Sequence, residues 1–77
     1  MSYNDFEKSI YKELFDKFQK EEHHVEFAKN SYNGDFDALK KALYHLADGQ
    51  ILFILYDEND IIEVELNYTH CYDFVEL

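Results

Sequence analysis

Through residues 2–20, apolar side chains recur every three or four positions. At about 100° per residue, Tyr3, Phe6, Ile10, Tyr11, Leu14, Phe15 and Phe18 fall in one half of a helical wheel. Glu7, Lys8, Glu13, Asp16 and Lys17 take the other half. Ser2, or Asn4 followed by Asp5, can cap the start, and Glu21 and Glu22 would land on the apolar arc, so this helix ends or bends near residue 21. Residues 23–30, with Val25, Phe27 and Ala28, fit either a continued helix or a short strand. Ser31-Tyr32-Asn33-Gly34 reads as a turn, and Asp35 then caps a second helix with Asp37 in its first turn. Phe36, Leu39, Ala42, Leu43, Leu46 and Ala47 share one face of it, Lys40, Lys41 and His45 lie off its centre, and Asp48-Gly49 closes it.

After Gly49 the period changes from helical to two. Residues 50–56 are apolar on both sides, as in a strand covered on both faces, and residues 61–66 alternate strictly. The segment Asp57-Glu58-Asn59-Asp60 joins them as a hairpin. With Glu58-Asn59 at the turn, Tyr56 faces Ile61, Ile54 faces Glu63 and Leu52 faces Glu65. Ile51, Phe53 and Leu55 then join Ile62, Val64 and Leu66 on the core side, and the other side carries Leu52, Ile54, Tyr56, Ile61, Glu63 and Glu65. Residues 67–69 make a second turn and 70–76 a third strand. The expected fold is α+β: one domain over 1–77, with two N-terminal helices packed on a three-stranded antiparallel β-meander. Leu52, Ile54 and Ile61 would form an exposed apolar patch, which points to a homodimer through that face or an edge strand.

Charge changes this picture more than composition does. The chain of 77 residues carries a net charge of −10. All seven basic residues are lysines before residue 42, while residues 50–77 hold seven acids and no base. Direct contact with nucleic acid or an anionic membrane is disfavoured, since both reward cationic patches, and a basic partner is favoured. Seven Tyr, seven Phe and no Pro argue for a folded chain rather than an acidic disordered tail. No early segment has the basic start and apolar centre of a signal peptide. The longest apolar run, residues 51–56, falls far short of the ~20 residues of a membrane helix. With one cysteine, Cys71, these features indicate a soluble cytoplasmic protein.

The chemistry-bearing residues are sparse. His23-His24 among Glu21, Glu22 and Glu26, and His70-Cys71, are adjacent pairs that point apart, so neither has metal-ligand spacing. An acidic setting raises the Cys71 thiol pKa, the wrong direction for a nucleophile. There is no glycine-rich phosphate loop and no nucleophile elbow, and no cofactor, metal or enzymatic activity is expected. Asp57-x-Asn59 lacks the glycine and closing glutamate of a calcium loop.

What remains is the acidic C-terminal segment: Asp57, Glu58, Asp60, Glu63, Glu65, Asp73 and Glu76, interleaved with Tyr56 and Tyr68. Alternate strand residues lie roughly 6.6–6.8 Å apart, the scale of phosphates along a nucleic-acid strand. Any single strand acid is explained by solvation and protection of an edge. Expelling every lysine from 28 residues is not. Over its whole length the chain resembles, in profile rather than motif, the small acidic inhibitors encoded by bacteriophages that imitate DNA. The resemblance implies that these residues occlude the DNA-binding surface of a basic host protein: a nucleoid protein, nuclease, or restriction or CRISPR effector. The lysine-bearing first helix departs from that profile. An immunity protein or antitoxin against a basic toxin uses the same physics. A structural or regulatory dimer, acidic only for solubility, is the third reading.

Overall fold

The computed structural model describes residues 3–19 and 24–67. Helix α1 spans Asp5–Gln19, strand β1 Val25–Ala28, helix α2 Phe36–Asp48, strand β2 Leu52–Glu58 and strand β3 Ile61–Leu66. The three strands form one antiparallel sheet in the order β1-β3-β2. The α+β class stands, with a different arrangement from the one expected. A strand separates the two helices, and β3 is flanked by β2 and β1. The strand expected at 70–76 lies outside the described residues.

Both helix starts follow from local chemistry. Asn4 and Glu7 form a reciprocal capping box: the Asn4 N–H donates to Glu7 Oε1 and the Glu7 N–H donates to Asn4 Oδ1, each at 2.8 Å. Asp35 Oδ1 accepts from the N–H groups of Asp37 and Ala38 at 3.0 and 3.2 Å. Gly34 precedes this cap with φ 148°, and a Cβ there would meet the Tyr32 ring at 3.2 Å. At the far end of α2, the left-handed residue is Gln50 (φ 61°) rather than Gly49. The Gln50 N–H donates to the Ala47 carbonyl and the Ile51 N–H to the Leu46 carbonyl, both at 3.0 Å. That pair of bonds, with Leu46 and Ile51 both buried, is a Schellman closure.

One hydrophobic cluster joins the layers. Ile10, Tyr11 and Leu14 of α1 and Leu39, Ala42, Leu43 and Leu46 of α2 meet Val25, Leu52, Ile62, Val64 and Leu66 of the sheet. The α1 stripe includes an acid where the wheel placed a solvent residue. Glu7 is buried while Phe6 is exposed, because Glu7 lies one helical turn before Ile10 and Tyr11 and its two oxygens are both occupied. Oε1 takes the Asn4 N–H, and Oε2 takes His45 Nδ1 from α2. The Tyr3 ring covers His45 at a centroid distance of 5.2 Å. His45 therefore ties the two helices together.

The hairpin register differs from the expected one in two steps. The two-residue turn is Asn59-Asp60, with φ 56° and 61°, and not Glu58-Asn59. A type I′ turn needs positive φ at both positions, which Asn and Asp tolerate better than Glu. This places Tyr56 opposite Glu63, a shift of two residues that leaves the side of Tyr56 unchanged. The second step is a β-bulge: Ile54 faces Val64 and Tyr56 faces Glu63, with Leu55 between them unmatched. An odd insertion inverts the phase of everything before it. Leu52 is consequently fully buried and Ile54 packs on the core, whereas Phe53 and Leu55 are 48% and 45% exposed. The patch expected from Leu52, Ile54 and Ile61 is not presented to solvent: its first two members face the helices, and Ile61 is half-buried.

The inverted phase can be read from stability. Leu52→Ala is expected to cost about 2–5 kcal/mol, a large share of the roughly 4–12 kcal/mol available to a domain of this size. Phe53→Ala is expected to change stability by no more than about 1 kcal/mol. Urea unfolding of the two variants checks this, and the opposite ranking would restore the bulge-free register.

Candidate functional site

Residues directly opposite one another in an antiparallel sheet share a face, so the register defines the surface turned away from the helices. Glu26 of β1 faces Glu63 of β3, which faces Tyr56 of β2. Toward the hairpin turn, Ala28 faces Ile61, which faces Glu58. On the other side, Glu65 faces Phe53. Leu55 adds its exposed side chain from the bulge, next to the 41%-exposed Tyr56. The face thus holds four carboxylates, from Glu26, Glu58, Glu63 and Glu65, around an aromatic and aliphatic strip, and β1, β2 and β3 contain no lysine.

Glu26 and Glu63 are a like-charged cross-strand pair, with Cβ atoms about 4.5–5.5 Å apart. Beside this pair, His24 Nδ1 lies 3.4 Å from Glu63 Oε2. Glu26 is exposed, and Glu63 and Glu65 are half-buried by their neighbours on the sheet.

The seven acids expected to act together do not all share this face. Asp57 faces Ile62, whose side chain is in the core, so its carboxylate turns toward α2. There Oδ2 accepts from the Tyr44 hydroxyl at 2.6 Å and Oδ1 pairs with Lys40 Nζ at 2.9 Å. The hydrogen bond from Tyr44, followed by that from Lys40, holds the Asp57 pKa below its ordinary value. The same carboxylate raises the pKa of both Lys40 and Tyr44, chiefly through those hydrogen bonds. Asp57 is thus a neutralised clasp between α2 and β2, withdrawn from the acidic row. Asp60 sits in the exposed turn, its carbonyl accepting the Lys29 N–H at 2.9 Å. Glu58, Glu63, Glu65 and Tyr56 are on the outer face. Tyr68, Asp73 and Glu76, like His70 and Cys71, lie outside the described residues.

Sequence reasoning missed Glu26, Phe53 and Leu55. Glu26 could have been found: Val25 and Phe27 alternate around it with strand period, and only the choice between helix and strand hid it. His45, off the centre of the apolar face of α2, reaches Glu7, whose charge, after burial itself, raises the Tyr3 pKa. Among the described residues no group of three or more His, Cys, Asp or Glu side chains could hold a metal ion, and no helix is long and apolar enough to cross a membrane. No protein-family model, curated protein or solved structure matches the chain.

Two measurements follow from this geometry. Glu26→Gln removes one of two facing charges and is expected to stabilise the fold by about 0.2–1 kcal/mol at low salt, with the gain shrinking as salt rises. A loss of stability in denaturant unfolding would mean that the two carboxylates do not oppose each other. Asp57 has the opposite role. Because its folded pKa is depressed, its contribution is present above the ordinary aspartate pKa of about 3.9 and is lost as pH falls through the lower folded value. Urea midpoints measured between neutral and acid pH are expected to fall less steeply for Asp57→Asn than for the parent. Identical acid limbs would remove Asp57 as a clasp.

Proposed function

We propose that this protein is a non-catalytic acidic inhibitor that docks its outer sheet face on the nucleic-acid-binding surface of a basic protein and occludes it. The observation that carries this reading is the lysine-free face itself. Glu26, Glu58, Glu63 and Glu65, from three strands, share one face of the sheet. The chain's lysines lie elsewhere, on α1, on α2 and in the segments between elements. A cationic groove built for phosphates gains the same attraction from carboxylates held at strand spacing, and the net charge of −10 steers the encounter. The retained Glu26–Glu63 repulsion supports the reading too, because a partner's guanidinium or ammonium would relieve a strain the free protein bears.

The exposed strip of Phe53, Leu55 and Tyr56 also favours a second reading within the same physics. Pure imitation of DNA charge needs no apolar centre, whereas an immunity protein or antitoxin dedicated to one basic toxin uses such anchors for affinity. A homodimer through this face is the weaker case, since it would press each copy's glutamates toward the other's.

The test is capture from bacterial lysate at low and high salt, followed by elution with duplex DNA. A basic nucleic-acid-binding protein should be retained at low salt, released by DNA, and lost with a Glu63→Lys/Glu65→Lys double variant that still folds. Retention that the double variant leaves unchanged, or that DNA does not compete, would remove the outer face as an occluding surface.

A further inference from the structure

The outer face is divided lengthwise as well as being acidic. Along β2, an edge strand of the sheet among the described residues, run Phe53, Leu55 and Tyr56, 48%, 45% and 41% exposed. Beside them, on β3 and β1, run Glu65, Glu63 and Glu26. Neighbouring strands are about 4.8 Å apart, so the apolar line and the carboxylate lines lie roughly 5–10 Å from each other. An α-helix is about 10–12 Å across, which spans both lines. From Phe53 to Glu58 the strand extends roughly 17 Å, the length of about three helical turns.

We propose, resting on the function inferred above, that the partner element seated on this face is a basic amphipathic helix lying along the β2–β3 hairpin. Its apolar positions at i, i+3 or i+4, and i+7 cover the β2 line, and its Lys or Arg side chains meet Glu65, Glu63 and Glu26. Each half of the surface excludes a simpler occupant. A uniformly cationic segment leaves the β2 line in water. A uniformly apolar one buries carboxylates with no counter-charge, which is strongly unfavourable. An extended strand added at the β2 edge meets the unmatched Leu55 in the middle of the ladder, and one added at the β1 edge lies two strands away from the apolar line. A second copy of this chain brings the same carboxylates against themselves. Proteins that read duplex DNA commonly insert a basic helix into the major groove, so the element covered would be the partner's own reading helix.

Two synthetic peptides of identical composition, about 14 residues of Leu, Ala, Lys and Arg, test the inference. One places Leu on a helical stripe with Lys and Arg beside it, and the other scrambles the order so that no stripe forms. Titration at fixed salt is expected to show the striped peptide binding at least about tenfold more tightly, a difference of about 1.4 kcal/mol. Its far-ultraviolet circular dichroism should gain helix on binding. A Phe53→Ser/Leu55→Ser variant should bring the striped peptide down to the scrambled level while leaving the scrambled peptide unchanged. Equal affinity for both peptides, or amide shifts in the protein centred on α1 or α2, would overturn the inference. Capture and DNA release as described above, combined with equal peptide binding, would leave the occlusion reading intact and remove the helix alone. A strong preference for the stripe without DNA competition in the lysate experiment would do the reverse. Growth of the protein's sedimentation coefficient with concentration in the absence of peptide would assign the face to a second copy instead.

Discussion

Between Ile54, which faces Val64, and Tyr56, which faces Glu63, the β2 strand carries Leu55 without a partner. What the domain buries and what it shows both depend on that unmatched residue. Before it, Leu52 and Ile54 point to the helices. After it, Asp57 points to the helices and Tyr56 away from them. Without the bulge, Phe53 and Leu55 would enter the core, and Leu52 and Ile54 would stand beside the glutamates. The outer face would still be acidic, but its apolar line would consist of different residues.

The two ends of β2 fix this phase. At its start, the Schellman closure through left-handed Gln50 buries Ile51, and the Asn67 N–H donates to the Ile51 carbonyl at 2.9 Å. At its end, the Tyr44 hydroxyl and the Lys40 ammonium hold Asp57 against α2, and the Asn59-Asp60 turn sets the pairing of the last residues. Leu52, just after that closure, and Asp57 both face the helices although they are five residues apart, an odd spacing that the bulge accommodates. Asp57 supplies the acid that a helix-facing clasp needs, which explains how one carboxylate of an all-acidic segment comes to be paired with a lysine while Glu58, Glu63 and Glu65 lie on the other face.

Much of this was legible from the chain. Asp35 and Asn4 acted as caps because short polar side chains before an amphipathic run compete for the free N–H groups. Ile62, Val64 and Leu66 reached the core because strict alternation leaves one choice of face. The phase of residues 51–56 was not legible, because six consecutive apolar side chains carry no alternation for a periodicity argument to use. Glu7 was misplaced for a related reason: a wheel sorts residues by polarity, and it has no way to see that a buried carboxylate is satisfied by His45 from another helix. The acid-rich composition singled out the hairpin. It could not distribute the acids between two faces, a matter of register rather than of count.

Both faces of the sheet therefore depend on one backbone alignment, and interstrand proton contacts in the free protein measure it directly. Nuclear Overhauser effects should place Phe53 opposite Glu65, Ile54 opposite Val64 and Tyr56 opposite Glu63, with Leu55 lacking a counterpart. Contacts pairing Tyr56 with Ile61 and Ile54 with Glu63, in an unbroken ladder, would contradict it.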